Sequence, residues 1–448
     1  MSENGPPNQF LLGEWSKVLL FSEGEQLDIS ANVIEICVEE NIFSPYVRGY
    51  VHVRDAASFK IIRKLKLKGG PETTISFSFS GLDDDKNPQP KIEISKGDYL
   101  VYGFDPISPY NKTSEDSILY FIHKCFYLDQ EKKISRCFSK QKISDIVQEL
   151  GNEIEISWKE VEKTKGDITT ALTYGNTIEH ISTMLKYSVR EENIDDVNYV
   201  FWQNLKKEHN YISLGKLYSK ESTFGNQPEP SGNDFSSVGF IYGEFLTDKD
   251  YSITRRMIST HEAINKGLLE ESLAGTFASA VFTVDPHYEN GFDYSTYDLK
   301  KEWNKQTHIT ENKFIDDDSQ FWDYIKGPMC YRSYNVKQHS YCCKEKPGGQ
   351  RNEPYCVSKR LSQLGQLFQL GVEFVASGNS DSNEIAVGNI IYFSRPLFYD
   401  PEKNQKQEDI FYRGKFLVTT VKHVIQLKDM TSPKYFCRIR AYKDSVDK

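Results

Sequence analysis

No stretch of the chain approaches eighteen uninterrupted apolar residues, so no helix able to cross a bilayer is encoded. The basic residues form no long cluster, and 55 Lys and Arg stand against 64 Asp and Glu, a formal net charge of −9. Tight, phosphate-driven binding of nucleic acid needs a concentrated Lys/Arg surface, which this chain does not offer. Residues Met1 to Pro7 contain neither a basic nor an apolar segment, so no secretory signal is expected. The sequon at Asn111 therefore carries no meaning. Catalytic signatures are missing too: no Gly-x-Ser-x-Gly, no P-loop, no His-Glu-x-x-His, no Gly-x-Gly-x-x-Gly. His261-Glu262 lacks a second histidine. The triplets Asp83–Asp85 and Asp316–Asp318 read as solvated turns rather than glycosidase carboxylates. No enzymatic activity is expected.

Aromatic side chains are abundant, with 27 Tyr, 27 Phe and 5 Trp in 448 residues. They favour strands and protein interfaces over helix bundles. The length exceeds one core, and two to four domains are expected. Residues 1–31 read as an arm, with one apolar patch at Val18 to Phe21 that could dock on a neighbour. Period-2 alternation then dominates. Ile34, Ile36 and Val38 alternate with Glu35, Cys37 and Glu39. Val47, Gly49, Val51 and Val53 share a face, as do Ile75, Phe77 and Phe79. Asp55 to Lys66 carries a short helical pattern. Ser117 to Asp129, apolar on both faces, reads as a long strand covered on both sides. Residues 32–134 thus make a first antiparallel β-barrel-like domain.

From 135 to 220 the pattern is helix and strand. Ile143, Ile146, Val147 and Leu150 make an apolar stripe that Gly151 would stop. Asn176 with Glu179 resembles a capping box before a helix over 177–189. Strands are expected at 199–203 and 211–217. A helical run over 253–273 and a strand over 276–284 follow. Residues 286–356 read as an irregular, Cys-rich insertion. A helix over 358–369 leads into strand-like segments at 372–378, 387–396, 412–423 and 435–444. This last run, with strands recruited from 221–285, forms a discontinuous second barrel over 221–285 and 357–448. The fold class is mixed α+β and β-dominated, with two antiparallel tube-type barrels and α/β insertions. In the last strand, Cys437, Ile439 and Ala441 face one way. Arg438 and Arg440 face the other, as solvated surface or as partners for acidic loops of a neighbouring subunit.

One cluster suggests chemistry. Cys330, His339, Cys342, Cys343 and Cys356 fall within 27 residues and hold half of the eight cysteines. Thiolate with imidazole suits structural zinc, and four thiolates suit an iron–sulfur cluster. The spacing is not that of a standard zinc knuckle. Free thiols, or a disulfide formed after lysis, are the plain alternative. Cys37, Cys125, Cys137 and Cys437 read as small apolar residues on strands.

Three segments together resemble the baseplate hub proteins of contractile-tailed bacteriophages of the T-even type. The first comprises Cys137-Phe-Ser, the helix Ile143–Leu150, Asn176-Thr-Ile-Glu-His-Ile, Tyr199-Val-Phe-Trp and Tyr211-Ile-Ser-Leu-Gly-Lys-Leu. The second comprises Ala263-Ile-Asn-Lys-Gly267, Ala278 to Asp285 and Phe292-Asp-Tyr-Ser-Thr-Tyr. The third is the C-terminal run with Val387-Gly388, Arg395-Pro396, Arg413-Gly-Lys-Phe416, Val421-Lys-His423 and Lys443-Asp444. Their order covers most of residues 30–445. The resemblance implies a homotrimer whose six tube-type barrels form a pseudo-sixfold ring. It implies partners as well: a central spike protein, a tail tube or tube-initiator protein, and baseplate wedge proteins. DNA would pass through the lumen without specific binding. The protein would reside in the virion tail after assembly in the host cytoplasm, with no membrane insertion. It does not supply the cysteine cluster. The alternatives are the hub of a related contractile injection system, or a β-rich carbohydrate-binding or carbohydrate-active protein outside phages. The first would be favoured by β-helix repeats after the hub, and this sequence ends at Lys448 without them. The second needs a signal or an aromatic-lined carboxylate cleft.

Overall fold

The computed structural model describes residues 13–56, 72–81, 92–111, 114–224, 240–242, 257–258, 261–284, 292–325, 327–328, 330–335, 353–377, 385–400, 405–409, 411–427 and 433–446. The N-terminal half builds β1 (Gly13–Trp15), β2 (Leu19–Ser22), β3 (Glu25–Asp28), β4 (Val33–Asn41), β5 (Arg48–Ala56), β6 (Thr73–Gly81), β7 (Ile92–Ile94), β8 (Tyr99–Asn111) and β9 (Ser114–His123). Alternation predicts β4, β5 and β6 among them. Ile36, Val38, Val51, Ile75, Phe79 and Phe121 all point into one core. Residues 13–28 are not an arm. β2 pairs with β3 and β6, and Val18 and Leu20 are fully buried, so the apolar patch docks on its own sheet. The strand expected to run to Asp129 ends at His123. Residues Cys125–Glu131 turn instead into a helix, α1. The helical pattern at 57–66 lies outside the described residues.

The insertion follows. β10 (Lys133–Lys142) pairs with β12 (Asp167–Asn176), and β11 (Ser157–Val161), β13 (Tyr199–Gln203) and β14 (Glu208–Ser213) form a three-stranded sheet. Helices α2 (Ile143–Glu153), α3 (Thr177–Leu185) and α4 (Leu214–Tyr218) complete it. The α2 stripe of Ile143, Ile146, Val147 and Leu150 is fully buried in a second core. Gly151 is not the stop, since the helix runs to Glu153 and the chain turns at Glu155, with φ +58°. Glycine stands at 151 because Trp158 lies against it. A Cβ there would fall 2.3 Å from the Trp158 ring.

β15 (Ser222–Phe224), β16 (Phe240–Tyr242), β17 (Met257–Ile258) and β18 (His261–Asn265) come next, then α5 (Leu268–Ala274). The helical run expected over 253–273 is therefore strand in its described part before 266. Pairing of β18 with Leu370–Val372 and its neighbours overrides the local pattern. β19 (Ala278–Val284), β20 (Phe292–Asp298) and β21 (Cys330–Asn335) form a separate sheet, with α6 (Leu299–Glu302) and α7 (Phe321–Tyr324) beside it. The span 286–356 is thus not irregular where it is described. Phe277, Tyr297, Leu299 and Trp303 give this unit its own small core.

The C-terminal run contains α8 (Glu353–Leu367), β22 (Leu370–Ser377), β23 (Ile390–Ser394), β24 (Pro396–Asp400), β25 (Gln405–Glu408), β26 (Gly414–Gln426) and β27 (Lys434–Lys443). β15 and β16 pair with β23, and β18 with β22, so the C-terminal sheet does recruit strands from 221–285. β26 is the hinge of the topology. Its first part pairs with β23, it breaks register between Val418 and Thr420, and its second part pairs with β4 from Thr420↔Asn41 to Gln426↔Glu35. A bulge of this kind bends the strand, so that it pairs first with β23 and then with β4. In the N-terminal half the pairings run from β4 through β5, β9, β8 and β6 to β1. Gly13 N then donates to Pro433 O (2.8 Å) beside β27, which leads through β26 back to β4. The N-terminal unit thus borrows two strands from the far end of the chain, and one core spans both. The protein is β-dominated, with large antiparallel sheets and α/β insertions.

Candidate functional site

The residue pair most like a catalytic one lies where chemistry is least possible. His423 on β26 and Cys437 on β27 are register partners, with Sγ 3.4 Å from Nδ1 and the Tyr435 hydroxyl 2.8 Å from the same nitrogen. All three point into the shared core and are at most 3% exposed. Burial pushes the Cys437 thiol up to about 12 and the His423 imidazole down to about 4. A thiolate–imidazolium pair is opposed on both sides, and no substrate can reach it. Cys437 is the small core residue expected of it, and Cys37 and Cys125 are likewise buried. Cys137 is exposed.

Of the candidate metal ligands, Cys330 sits half-buried on β21, its Cβ 3.0 Å from where a side chain on Gly275 would begin. Cys356 lies on α8, buried in the apolar core of the insertion. His339, Cys342 and Cys343 lie outside the described residues, as do Asp83–Asp85. Among the described residues, no group of three or more His, Cys, Asp and Glu is placed to hold a metal. The second acidic triplet is a turn. Asp316 O accepts from Trp322 Nε1 at 2.8 Å, and Asp317 takes Lys313 Nζ at 2.6 Å.

What the structure does concentrate is a set of buried polar joints between units, none of which the sequence announced. Glu40, at the end of β4 and 3% exposed, accepts Leu205 N from the insertion at 2.5 Å. Burial raises its carboxyl to about 7, against hydrogen bonds from Leu205 N and Val387 N that favour the charged form. Gln203 accepts Val47 N (2.9 Å) and meets His123 Nδ1 (3.1 Å), while His209 Nε2 meets Pro45 O (2.9 Å). Lys207 pairs with Asp98 at 2.5 Å. Together these fasten the β13–β14 turn to the end of the first sheet. Arg190 pairs with Glu162 (3.0 Å) and Asp196 (3.2 Å), and Asp196 also receives Thr307 N and Oγ1 from the third unit. Lys359 on α8, sealed from solvent, pairs with Asp195 and, at 3.3 Å, with Glu302. His308 meets Asp444 at 2.7 Å, tying the third unit to the chain end. The buried charges of Arg190, Asp196 and Lys359 are tolerated because each has a partner of opposite sign. Breaking one partner leaves an uncompensated charge, so the joints hold the units in one arrangement.

The outward rows of the strands mix charged residues with apolar ones such as Cys37 and Val424. Arg440 bonds Glu373 across β27 and β22 (Nε 2.8 Å), so the arginine read as surface or as a partner for the next subunit has its partner within the chain. Arg438 lies over the Phe436 ring at 5.8 Å. Among the described residues, no helix is long and apolar enough to cross a membrane.

No protein-family model and no curated protein matches the chain. Its fold has clear counterparts. The 43 kDa tail protein of prophage MuSo2 from Shewanella oneidensis aligns with a TM-score of 0.50 and 8% identity, over 96% of this chain and 100% of that one. The tail protein from Neisseria meningitidis MC58 aligns with a TM-score of 0.50 and 8% identity, over 96% and 97%. At such identity the likeness is one of fold. This shared fold agrees with the β-dominated class and with the hub-type resemblance drawn from the sequence.

Proposed function

We propose that the chain is the structural baseplate hub of a contractile phage tail. In this reading three copies form a pseudo-sixfold ring that joins the tail tube to the central spike and lets DNA pass on ejection. One observation carries it: a fold shared end to end with phage tail proteins, in which both ends of the chain merge into one antiparallel sheet. A subunit whose two halves share strands offers a stiff, continuous wall, which is what a ring subunit must supply. The chain would work in the virion tail, after assembly in the host cytoplasm, with the spike, the tube or its initiator, and wedge proteins as partners. A structural zinc ion or iron–sulfur cluster on Cys330, His339, Cys342, Cys343 and Cys356 belongs to the same proposal. Elemental analysis that finds neither metal in stoichiometric amount removes it. The hub of a related contractile injection system is the second reading, since such a hub would need the same wall.

Light scattering with negative-stain imaging, on the chain alone and co-expressed with the spike, tests the assembly. A threefold particle with a central opening is expected. A monomer under both conditions, with no ring in the particle, overturns the proposal.

A further inference from the structure

Lys359 projects from α8 with no exposed surface, and its ammonium ends between two carboxyl groups. Its Nζ donates to Asp195 Oδ1, and Glu302 Oε2 lies 3.3 Å away. Asp195 belongs to the loop before β13, and Glu302 closes α6, so three distant segments meet at one nitrogen. The Asp195 loop is fixed against α8 there. Asn193 Oδ1 accepts Asp195 N (3.1 Å), and Gln363, one turn beyond Lys359, donates to Asp195 O (2.9 Å). Asn198 Nδ2 donates to Arg360 O (3.1 Å) and to Gln363 Oε1 (2.7 Å). Glu302 is held too, by Lys305 Nζ on its Oε1 at 2.7 Å.

A primary amine, a carboxyl carbon and a second carboxylate, held in mutual reach and nearly shut from water, are the parts of an amide condensation. We infer that Lys359 and Asp195 are joined by an isopeptide bond in the mature protein, with Glu302 as the catalytic base. Glu302 Oε2 takes a proton from the ammonium, which frees the lone pair of Nζ to add to Asp195 Cγ. Lys305, whose charge also reaches Asp195, supports the negative oxygen of the tetrahedral intermediate. The Nζ–Cγ bond forms and one Cγ–O bond breaks. Two of the three ammonium protons leave on that oxygen as water, one of them by way of Glu302, which ends as it began. No atom changes oxidation state, so neither an oxidant nor a cofactor is needed. The amide and the water carry no charge, and the fold no longer bears two desolvated ions. The bond closes a loop between residues 164 positions apart and locks α8 to the insertion, whether or not the chain serves as a hub.

Intact-mass spectrometry of the full chain, purified folded, reads the bond directly. The expected mass is that of the sequence less one water. Trypsin should leave one branched peptide joining residues 191–206 to 352–360, uncut at Lys359. Glu302→Gln keeps both reacting groups and removes the base, so it should melt cooperatively and stay at full mass. Asp195→Asn should still react, losing ammonia in place of water, and reach the same final mass as the wild type. Folded wild-type protein that keeps its full mass after days at room temperature overturns the inference. So does a loss of water without the branched peptide, as a cyclised aspartate would give. A Glu302→Gln chain that crosslinks as fully as the wild type overturns the part given to Glu302. None of these readouts depends on ring formation.

Discussion

Glu40 shows how a single side chain can set a pH response that composition hides. Its carboxyl, ordinarily near 4.5, is held at about 7 by burial between β4 and the insertion. The folded state therefore binds a proton that the unfolded chain has released. This contribution is fully present below about pH 4.5 and is lost as pH rises through 7. Glu40→Gln removes the charge and keeps an acceptor for Leu205 N. Denaturant melts from pH 5 to 8 should show the wild type falling relative to the variant, with the variant ahead by up to about 3 kcal/mol at pH 8. Parallel curves would rule this out. His123, His209 and His423 act in the opposite direction, since burial first of all lowers them to about 3, 4 and 4. Their contribution is present above about 6.5 and is lost as pH falls toward 4. Gly151 makes a simpler case. Gly151→Ala forces Trp158 out of contact with α2 and should cost about 1–3 kcal/mol by thermal melting, although alanine is the better helix former. A rise in Tm would show that the helix propensity decides instead. None of this was legible beforehand. A buried glutamate and an exposed one look alike in sequence, and only the loops that fold over residue 40 distinguish them.

At the scale of elements, periodicity was a good guide wherever a segment answered to its own neighbours. β4, β5 and β6 follow from alternation, and α2 from its stripe. Failures came where a remote partner decided. β18 lies in a stretch read as helical and is a strand because β22 offers it an edge. The start of α3 is the sharper instance. Asn176 occupies the N-cap, yet its side chain makes no capping bond. Asp129, from α1, accepts Ile178 N at 2.8 Å and also receives the Tyr46 hydroxyl at 3.3 Å. A capping carboxylate from elsewhere satisfies the same orphan N–H and adds a tertiary link. Asp129→Ala should therefore cost about 2 kcal/mol, and Asn176→Ala within about 0.5 kcal/mol. Equal losses in urea titrations would return the cap to Asn176. The candidate site followed the same rule. A cluster of cysteines close in sequence drew the eye, whereas the joints at Glu40, Arg190 and Lys359 unite residues more than a hundred positions apart in several of their contacts.

At the scale of the whole molecule, two sheet-rich ends were legible, but their fusion was not. A strand pairing between residues 35–41 and 420–426 leaves no trace in local pattern, because both strands alternate as they would beside any neighbour. The consequence is that the first 134 residues are not an independent folding unit, however domain-like they read. Without β26 and β27, β4 has a bare edge along seven paired positions, and β1 loses its bond to Pro433. The core loses Val421, Ile425, Tyr435 and Ile439, each at most 1% exposed. Removing that much apolar surface from a shared core costs several times the about 2 kcal/mol of one buried aliphatic side chain, comparable to the whole stability of a typical domain. A fragment of residues 1–134 should therefore show no cooperative melt by circular dichroism and a collapsed proton spectrum. Co-expression with residues 353–448 should restore both, because the second fragment brings β26 and β27, the two strands that carry the joint. A cooperative transition from the isolated N-terminal fragment would mean that the sheet closes on itself. β26 would then be a contact between finished domains rather than a strand that both require.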